Sequence, residues 1–369
     1  MRVGMMRRAV KKFIEELKQN TITTLEYIPY SSELTQDEGI DIAAALGRNN
    51  SITSMEFLDN EIRGWGVKAI GGALGCNRTI TSVALEGTEM GNFGAEHIAC
   101  ALRYNESITS INLRLNRISC HGIKAIMASL KLNKTLRSIS LFHNEINADG
   151  AKAVADMLTH NETITWINLG GNRIDDQGAY YLADGLKNNK TLTELCLSFN
   201  NIGAPGAEYI ADALKKNTTL TSIELPFNWI YNAGAQAISS ALDDNKTLIV
   251  VDLVGNLGPS HKVEDKNLLE AIDSKLQRNI RAILFLATLP PKPKNSFMPQ
   301  FKAAQAVSAV PITAAIADPK SNSTEPKPRA PDDSNPNEPN SSLATDFFGN
   351  TLCEPNLMRT VTDFLGNNR

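Results

Sequence analysis

The chain has 369 residues, of which 42% are hydrophobic and 21% charged, with a formal net charge of −3. This composition is ordinary for a globular protein and excludes collagen-like, disulfide-scaffold and wholly disordered classes; the lack of a basic surplus argues against a dedicated nucleic-acid binder. No apolar run reaches the ~18–20 residues of a membrane span, and the longest, around residues 280–289, is interrupted by Arg281.

Residues 1–20 are basic at their start, like the beginning of a signal peptide, but Glu15, Glu16 and Lys18 stand where its apolar core should be. They read instead as an N-terminal capping helix, with Phe13, Leu17 and Asn20 in the phase of the helices that follow. From residue 21 the chain repeats. Asparagine recurs every 28 residues from Asn49 to Asn245, glycine from Gly66 to Gly234 and leucine from Leu74 to Leu242.

Each unit opens with apolar positions spaced as in Leu192, Leu195, Leu197, Asn200 and Ile202. Alternation around Leu195 and Leu197 predicts a short strand, and the four-residue steps of Gly206, Ile210 and Leu214 predict a helix. One unit is strand, turn, helix, and successive strands must stack in parallel. A unit of this size cannot bury its apolar face alone, so stability must come from its neighbours and from caps at both ends.

Asn60, Asn116, Asn144, Asn172, Asn200, Asn228 and Asn256 should form a buried ladder whose amides satisfy backbone groups where the chain leaves each strand. Thr88 interrupts it, and a local irregularity is expected there. The glycine in phase with Gly206 should admit close packing that a Cβ would block. Strands stack ~4.8 Å apart and helices ~8–10 Å apart, so the array should curve with its strands inside. At the far end Leu248, Val251, Leu253 and Asn256 start an eighth regular strand, and the helix phase returns late, at Ile272, Leu276 and Asn279. About six residues are thereby inserted around 258–265, and the apolar residues 283–289 should close the last open face. The repeat region with this C-terminal cap spans 21–289.

Twelve of the sixteen prolines fall in the last 80 residues. Residues 290–341 read as a disordered Pro/Ser/Asn-rich linker, and 342–369 as a short motif segment holding two similar hexapeptides, TDFFGN at 345–350 and TDFLGN at 362–367.

These repeats resemble the leucine-rich-repeat family, in particular its ribonuclease-inhibitor-like subtype with 28-residue units. The resemblance covers residues 21 to 280. It implies an α/β fold: a right-handed solenoid, or horseshoe, with a concave parallel sheet and convex helices. It also implies functions ranging over nuclease inhibition, Ran GTPase activation, ligand sensing in nucleotide-binding receptors and bacterial effectors. The inhibitor is cysteine-rich, whereas this chain has five cysteines. The GTPase activators carry a long acidic segment after the repeats, whereas acidic runs here never exceed two, as at Asp332 and Asp333. The receptors place a P-loop domain ahead of the repeats, and about twenty residues precede them here. A stand-alone repeat protein with a tail is compatible with a bacterial effector acting in a host cytosol, and the GTPase activator is the alternative.

No catalytic constellation emerges. The five histidines sit at unrelated phases, and no P-loop occurs. The five cysteines are too few and irregular for a zinc ribbon or disulfide framework, which suggests a reducing, cytoplasmic setting with Cys196 as a plain surface thiol. Eight N-x-[ST] sequons coincide with the repeat asparagines and are better explained by turn chemistry. No cofactor and no metal site is expected.

The positions that alternate with the buried leucines should line the concave face. In the central and C-terminal units they include Phe142, Phe199 and Phe227, with Trp166 and Trp229 nearby, and Arg114, His143 and Glu224 among them. Interface anchors are enriched in aromatic residues, so these eight residues are the expected protein-binding site of a non-enzymatic monomer with a protein partner.

Overall fold

The structure, a computed structural model, describes residues 11, 12, 14–25, 36–58, 62–256 and 266–288. Two units separate, Met1–Asn279 and Ile280–Arg369. The first holds nine parallel strands in chain order: β1 (Thr24–Leu25), β2 (Ser54–Glu56), β3 (Ser82–Ala84), β4 (Ser110–Asn112), β5 (Ser138–Ser140), β6 (Trp166–Asn168), β7 (Glu194–Cys196), β8 (Ser222–Glu224) and β9 (Val250–Asp252). Between them lie α1 (Gln36–Leu46), α2 (Arg63–Cys76), α3 (Gly91–Tyr104), α4 (Cys120–Leu130), α5 (Ala148–Leu158), α6 (Asp176–Asn188), α7 (Ala204–Leu214) and α8 (Tyr231–Asp244), and α9 (Lys266–Thr288) follows β9.

From β2 onward the strand register shifts by one repeat per strand without a slip, as in Asn168↔Cys196↔Glu224. The middle residue of each strand, such as Ile167, Leu195 and Ile223, faces the helices and is buried. Leu186, Ile210 and Leu214 meet them from the helical side. The first unit is thus a parallel α/β solenoid with its sheet on the concave side and its helices on the convex side.

Two asparagine ladders stitch it. Asn200 donates to the Leu169 carbonyl at 3.0 Å and to the Leu197 carbonyl at 3.1 Å, and its oxygen accepts from the Ile174 amide at 3.0 Å. The same pattern holds at Asn144, Asn172, Asn228 and Asn256; Asn116 donates to the Leu85 and Arg114 carbonyls, and Asn60 lies outside the described residues. The second ladder is built by the helix-ending asparagines. Asn217 donates to Leu186 at 2.7 Å and accepts from the Thr219 and Leu220 amides. Its buried amide makes these bonds in each unit, which accounts for the recurrence of the asparagine of the sequons.

Thr88 is accommodated in the first ladder. It is fully buried, and its amide and hydroxyl both donate to the Asn116 side-chain oxygen, at 3.0 and 2.9 Å. The left-handed Gly91 that opens α3, φ +55°, is not peculiar to this unit, since Arg63 and Tyr231 open α2 and α8 in the same way. Glycine packing is as expected: a Cβ on Gly234 would lie 2.6 Å from Ile230 and 2.8 Å from the Ala207 side chain. No left-handed backbone is involved there; the demand is for space.

At the N-terminal end Leu17 is buried, its carbonyl accepts from Asn49, and the Asn20 oxygen accepts from the Asn50 amide. Phe13 lies outside the described residues. At the C-terminal end Ile272 and Leu276 are buried, and Asn279 donates to the Leu248 carbonyl at 2.8 Å. The expected insertion falls within 257–265 and the linker and motif segments within 289–369, all outside the described residues. The segment 283–289 belongs to the second unit, of which α9 contributes the described part.

Candidate protein interface on the concave face

Three columns of positions face inward in each unit: in the unit of β6 they are held by Trp166 and Asn168 of the strand and by Gly170 just beyond it. The column beyond Gly170 is set by the backbone. Gly87, Leu115, His143, Gly171, Phe199, Phe227 and Gly255 all have left-handed φ, between +51° and +70°. Where the strand turns out of the sheet, every unit of this series demands the conformation that only glycine adopts without strain. Three units supply glycine. The other four hold bulky side chains at a cost of ~1–2 kcal/mol each.

The rings rest on neighbouring glycines. A Cβ on Gly255 would lie 2.5 Å from the Phe227 ring, and one on Gly170 would lie 2.9 Å from that of Phe142. Phe199 stacks on Phe227, with centroids 4.4 Å apart and planes inclined by 10°. Phe142 carries the Arg114 guanidinium 5.2 Å from its centroid and the His143 ring at 6.2 Å. Arg114 is held by Glu86 at 2.9 Å, and Glu86 in turn accepts from the Asn112 amide at 3.1 Å. Partial burial and the Arg114 charge hold the His143 pKa below its ordinary value.

The expected aromatic strip is therefore two groups, Arg114–Phe142–His143 and Phe199–Phe227, separated by Gly170 and Gly171. Trp166 is half-buried within β6, in register with Ser138 and Glu194. Trp229 is exposed but stands in the turn between β8 and α8, where it forms an isolated parallel bridge with Gly203. It belongs to the rim of the face.

Sequence reasoning left two features out. Glu194, Glu224 and Asp252 form an acidic group on β7 to β9. Burial pushes all three carboxyl pKa values up, and the Asp252 and Glu194 charges help to carry Glu224 to about 7. Glu194 sits in a column otherwise rich in serine (Ser54, Ser82, Ser110, Ser138, Ser222), and a column-by-column charge reading would have found it. Second, aromatics also gather on the helices. Trp65 lies 5.1 Å from Phe93, Phe93 lies 4.7 Å from His97, and Tyr180 lies 5.2 Å from Tyr209.

Cys196 corrects an expectation. It is 4% exposed and its Sγ lies 3.2 Å from Ser198 Oγ, so it is not a surface thiol. Ser198, two residues on along the chain and on the same side by alternation, is 1% exposed. Among the described residues no group of three or more His, Cys, Asp or Glu is arranged to hold a metal ion, and no helix is long and apolar enough to cross a membrane.

Comparison with known proteins agrees with this architecture. The leucine-rich-repeat family matches residues 132–155, 160–183, 188–211 and 216–239. No curated protein matches the chain. Among solved structures, leiomodin-1 actin-binding site 2 is 25% identical, over 39% of this chain and 81% of that one, with a TM-score of 0.34. The C-terminal domain of Caenorhabditis elegans tropomodulin is 13% identical over 52% and 97%, with a TM-score of 0.36. The leucine-rich repeat-containing protein LegL7 from Legionella pneumophila is 19% identical over 65% and 77%, with a TM-score of 0.40. With four successive units matched, and a strand and a helix in each of them, the chain is a leucine-rich-repeat protein.

Proposed function

We propose that the concave face is a protein-recognition surface and that the protein acts by binding a partner, as a monomer without a cofactor. Phe142, His143, Phe199 and Phe227 are its anchors, Trp166 and Trp229 extend it to the strand and the rim, and Arg114 and Glu224 provide polar contacts. Exposure alone does not single out this face, because the helices carry exposed aromatics too. The observation that supports it is the backbone: Phe199 and Phe227 occupy left-handed positions that other units fill with glycine. Strain retained at bulky side chains points to a use for those side chains. An effector acting in a host cytosol is one setting in which such a binder would operate.

Affinity capture from a cell lysate with the full chain tests the reading. Phe199→Ala and Trp229→Ala should each weaken capture by about 2 kcal/mol or more, roughly thirtyfold, with little effect from Lys152→Ala or Glu208→Ala on the helices. If both aromatic variants capture the partner as tightly as the parent while Arg114→Ala does not, the aromatic reading fails. That outcome favours the GTPase-activator alternative, in which polar side chains at a repeat edge do the work.

A further inference from the structure

The helices carry a second patch, centred on α3. Phe93, His97, Cys100 and Tyr104 follow one another at steps of three or four residues, so they share the outer stripe of that helix. Phe93 is 40% and Tyr104 62% exposed, and Trp65 of α2, 56% exposed, lies against Phe93. From Phe93 to Tyr104 the stripe is ~16 Å long. Beside it α2 holds Gly72 and Gly75, one repeat before Cys100 and Arg103; a Cβ on Gly72 would meet nothing within 4 Å. A shallow trough results, with Trp65 at one end and Tyr104 at the other. At each end a cation lies against the ring: Lys68 Nζ is 4.7 Å from the Trp65 centroid, and the Arg103 guanidinium is 5.8 Å from that of Tyr104. Among the described residues neither cation is paired with a carboxylate. Helices α2, α3 and α4 hold Arg63, Lys68, Arg103 and Lys124 against the single acid Glu96, whose carboxylate stands 3.0 Å from His121 Nε2. This basic strip is narrow. On one side α1 has Asp37, Glu38 and Asp41 and no base, and on the other α5 to α8 have eight acids against Lys152 and Lys187.

We propose that this trough is a docking site for a short acidic segment of a partner protein, its carboxylates meeting Lys68 and Arg103 and an apolar side chain resting on Trp65 and Phe93. The length of the stripe suits about five residues of extended chain. Charge complementarity selects an anionic occupant, and the narrowness of the strip decides which anion. A bilayer is broad and would press its phosphates on the carboxylates of α1 and α5 as well. A nucleic-acid strand carries its charge on along the backbone, past the few cations available. A short acidic segment fits between the flanking acids, and exposed Trp and Tyr beside Lys and Arg give it both apolar and charged anchors. The site lies on the helices and stands whether or not the concave face binds a partner of its own.

The probe is a fluorescently labelled random copolymer of glutamate and tyrosine, with glutamate in excess, titrated with the full chain at low salt. Binding should weaken as salt is raised. Trp65→Ala should weaken it about tenfold, and Lys68→Glu combined with Arg103→Glu at least as much. Melting temperatures should change little, because all three side chains stand exposed on the helices. Trp65→Phe keeps a ring and should bind within about threefold of the parent, while losing the shift in tryptophan fluorescence that the copolymer causes; this locates the contact. Absence of binding overturns the proposal, as does equal binding by the charge-reversed variant. Tighter binding to phosphatidylserine vesicles or to an oligothymidylate than to the copolymer overturns it too. A dimer abolished by Lys68→Glu would make a second copy the occupant, with the same result. Phe199→Ala should leave copolymer binding unchanged; a tenfold loss there would put the copolymer on the concave face and refute the site on α2 and α3.

Discussion

Replacing Phe199 by glycine should harm the solenoid less than replacing it by alanine, the reverse of the usual order. Either change removes the ring stacked 4.4 Å from Phe227 and loses ~0.5–1.5 kcal/mol of aromatic pairing together with the same buried area. Alanine keeps a Cβ in a backbone at φ +51°. Glycine releases that strain, worth ~1–2 kcal/mol, and gives back ~0.5–1 kcal/mol through its greater freedom in the unfolded chain. Glycine should therefore be more stable than alanine by about 0.5–1 kcal/mol, where an ordinary strand or helix site would favour alanine by about as much. Urea unfolding of the two variants with equal m-values reads the difference as a shift in midpoint. An alanine variant at least as stable as the glycine variant would refute the claim that this position is held against its backbone preference. Both variants should lose partner capture alike, because both lack the ring.

Leu197→Ala should open a cavity in the fully buried column and cost about 2–5 kcal/mol, while Lys216→Ala at an exposed helix end should stay within about 0.5 kcal/mol; thermal melts followed by circular dichroism compare them. Asn217→Ala should cost about 3 kcal/mol or more, because it strands the Leu186 carbonyl and the Thr219 and Leu220 amides together; a loss below about 1 kcal/mol would mean that water takes over the ladder. Glu224 rises from 4.5 to about 7 on folding, so the folded state binds its proton more tightly and stability should fall as pH rises through that window. After allowance for solvent screening the change is on the order of 1–2 kcal/mol; urea midpoints at pH 5 and pH 8 should differ less in Glu224→Gln than in the parent.

The repeat architecture could be read in advance because the same demand recurs in every unit. Leu195, Asn200, Gly206 and Leu214 each belong to a column in which one physical requirement is met again and again, so an exception such as Thr88 stands out. The inner face has no such redundancy. Alternation gives the side on which a residue stands but not how far it is covered, and Ser198 and Cys196, placed on the surface by alternation alone, are buried. The two-group arrangement of the aromatics follows from Gly170 and Gly171, which were visible in the sequence but had no meaning until the rings were seen to lean on neighbouring glycines. Trp229 was assigned to the face by proximity to Asn228, although the turn carries it to the rim. The left-handed column was within reach, since Gly87, Gly171 and Gly255 share the spacing of Phe199 and Phe227.

The asparagine ladders also give the solenoid a direction. Each amide reaches back toward the preceding unit, from Asn217 to Leu186 and from Asn228 to Leu197, and none of these bonds runs forward. Cutting the array between two units therefore leaves unlike ends. The upstream piece exposes carbonyls and one backbone amide released from a ladder oxygen, such as that of Ile202, which water satisfies readily at a new surface, while the downstream piece keeps buried side-chain amides whose acceptors are gone. Loss of units from the C-terminal side should be tolerated better than loss from the N-terminal side. Growth by duplication would be easiest where a new unit finds waiting acceptors, at the C-terminal end beside α9, where Arg278 now donates to the last open carbonyls of Leu242 and Asn245.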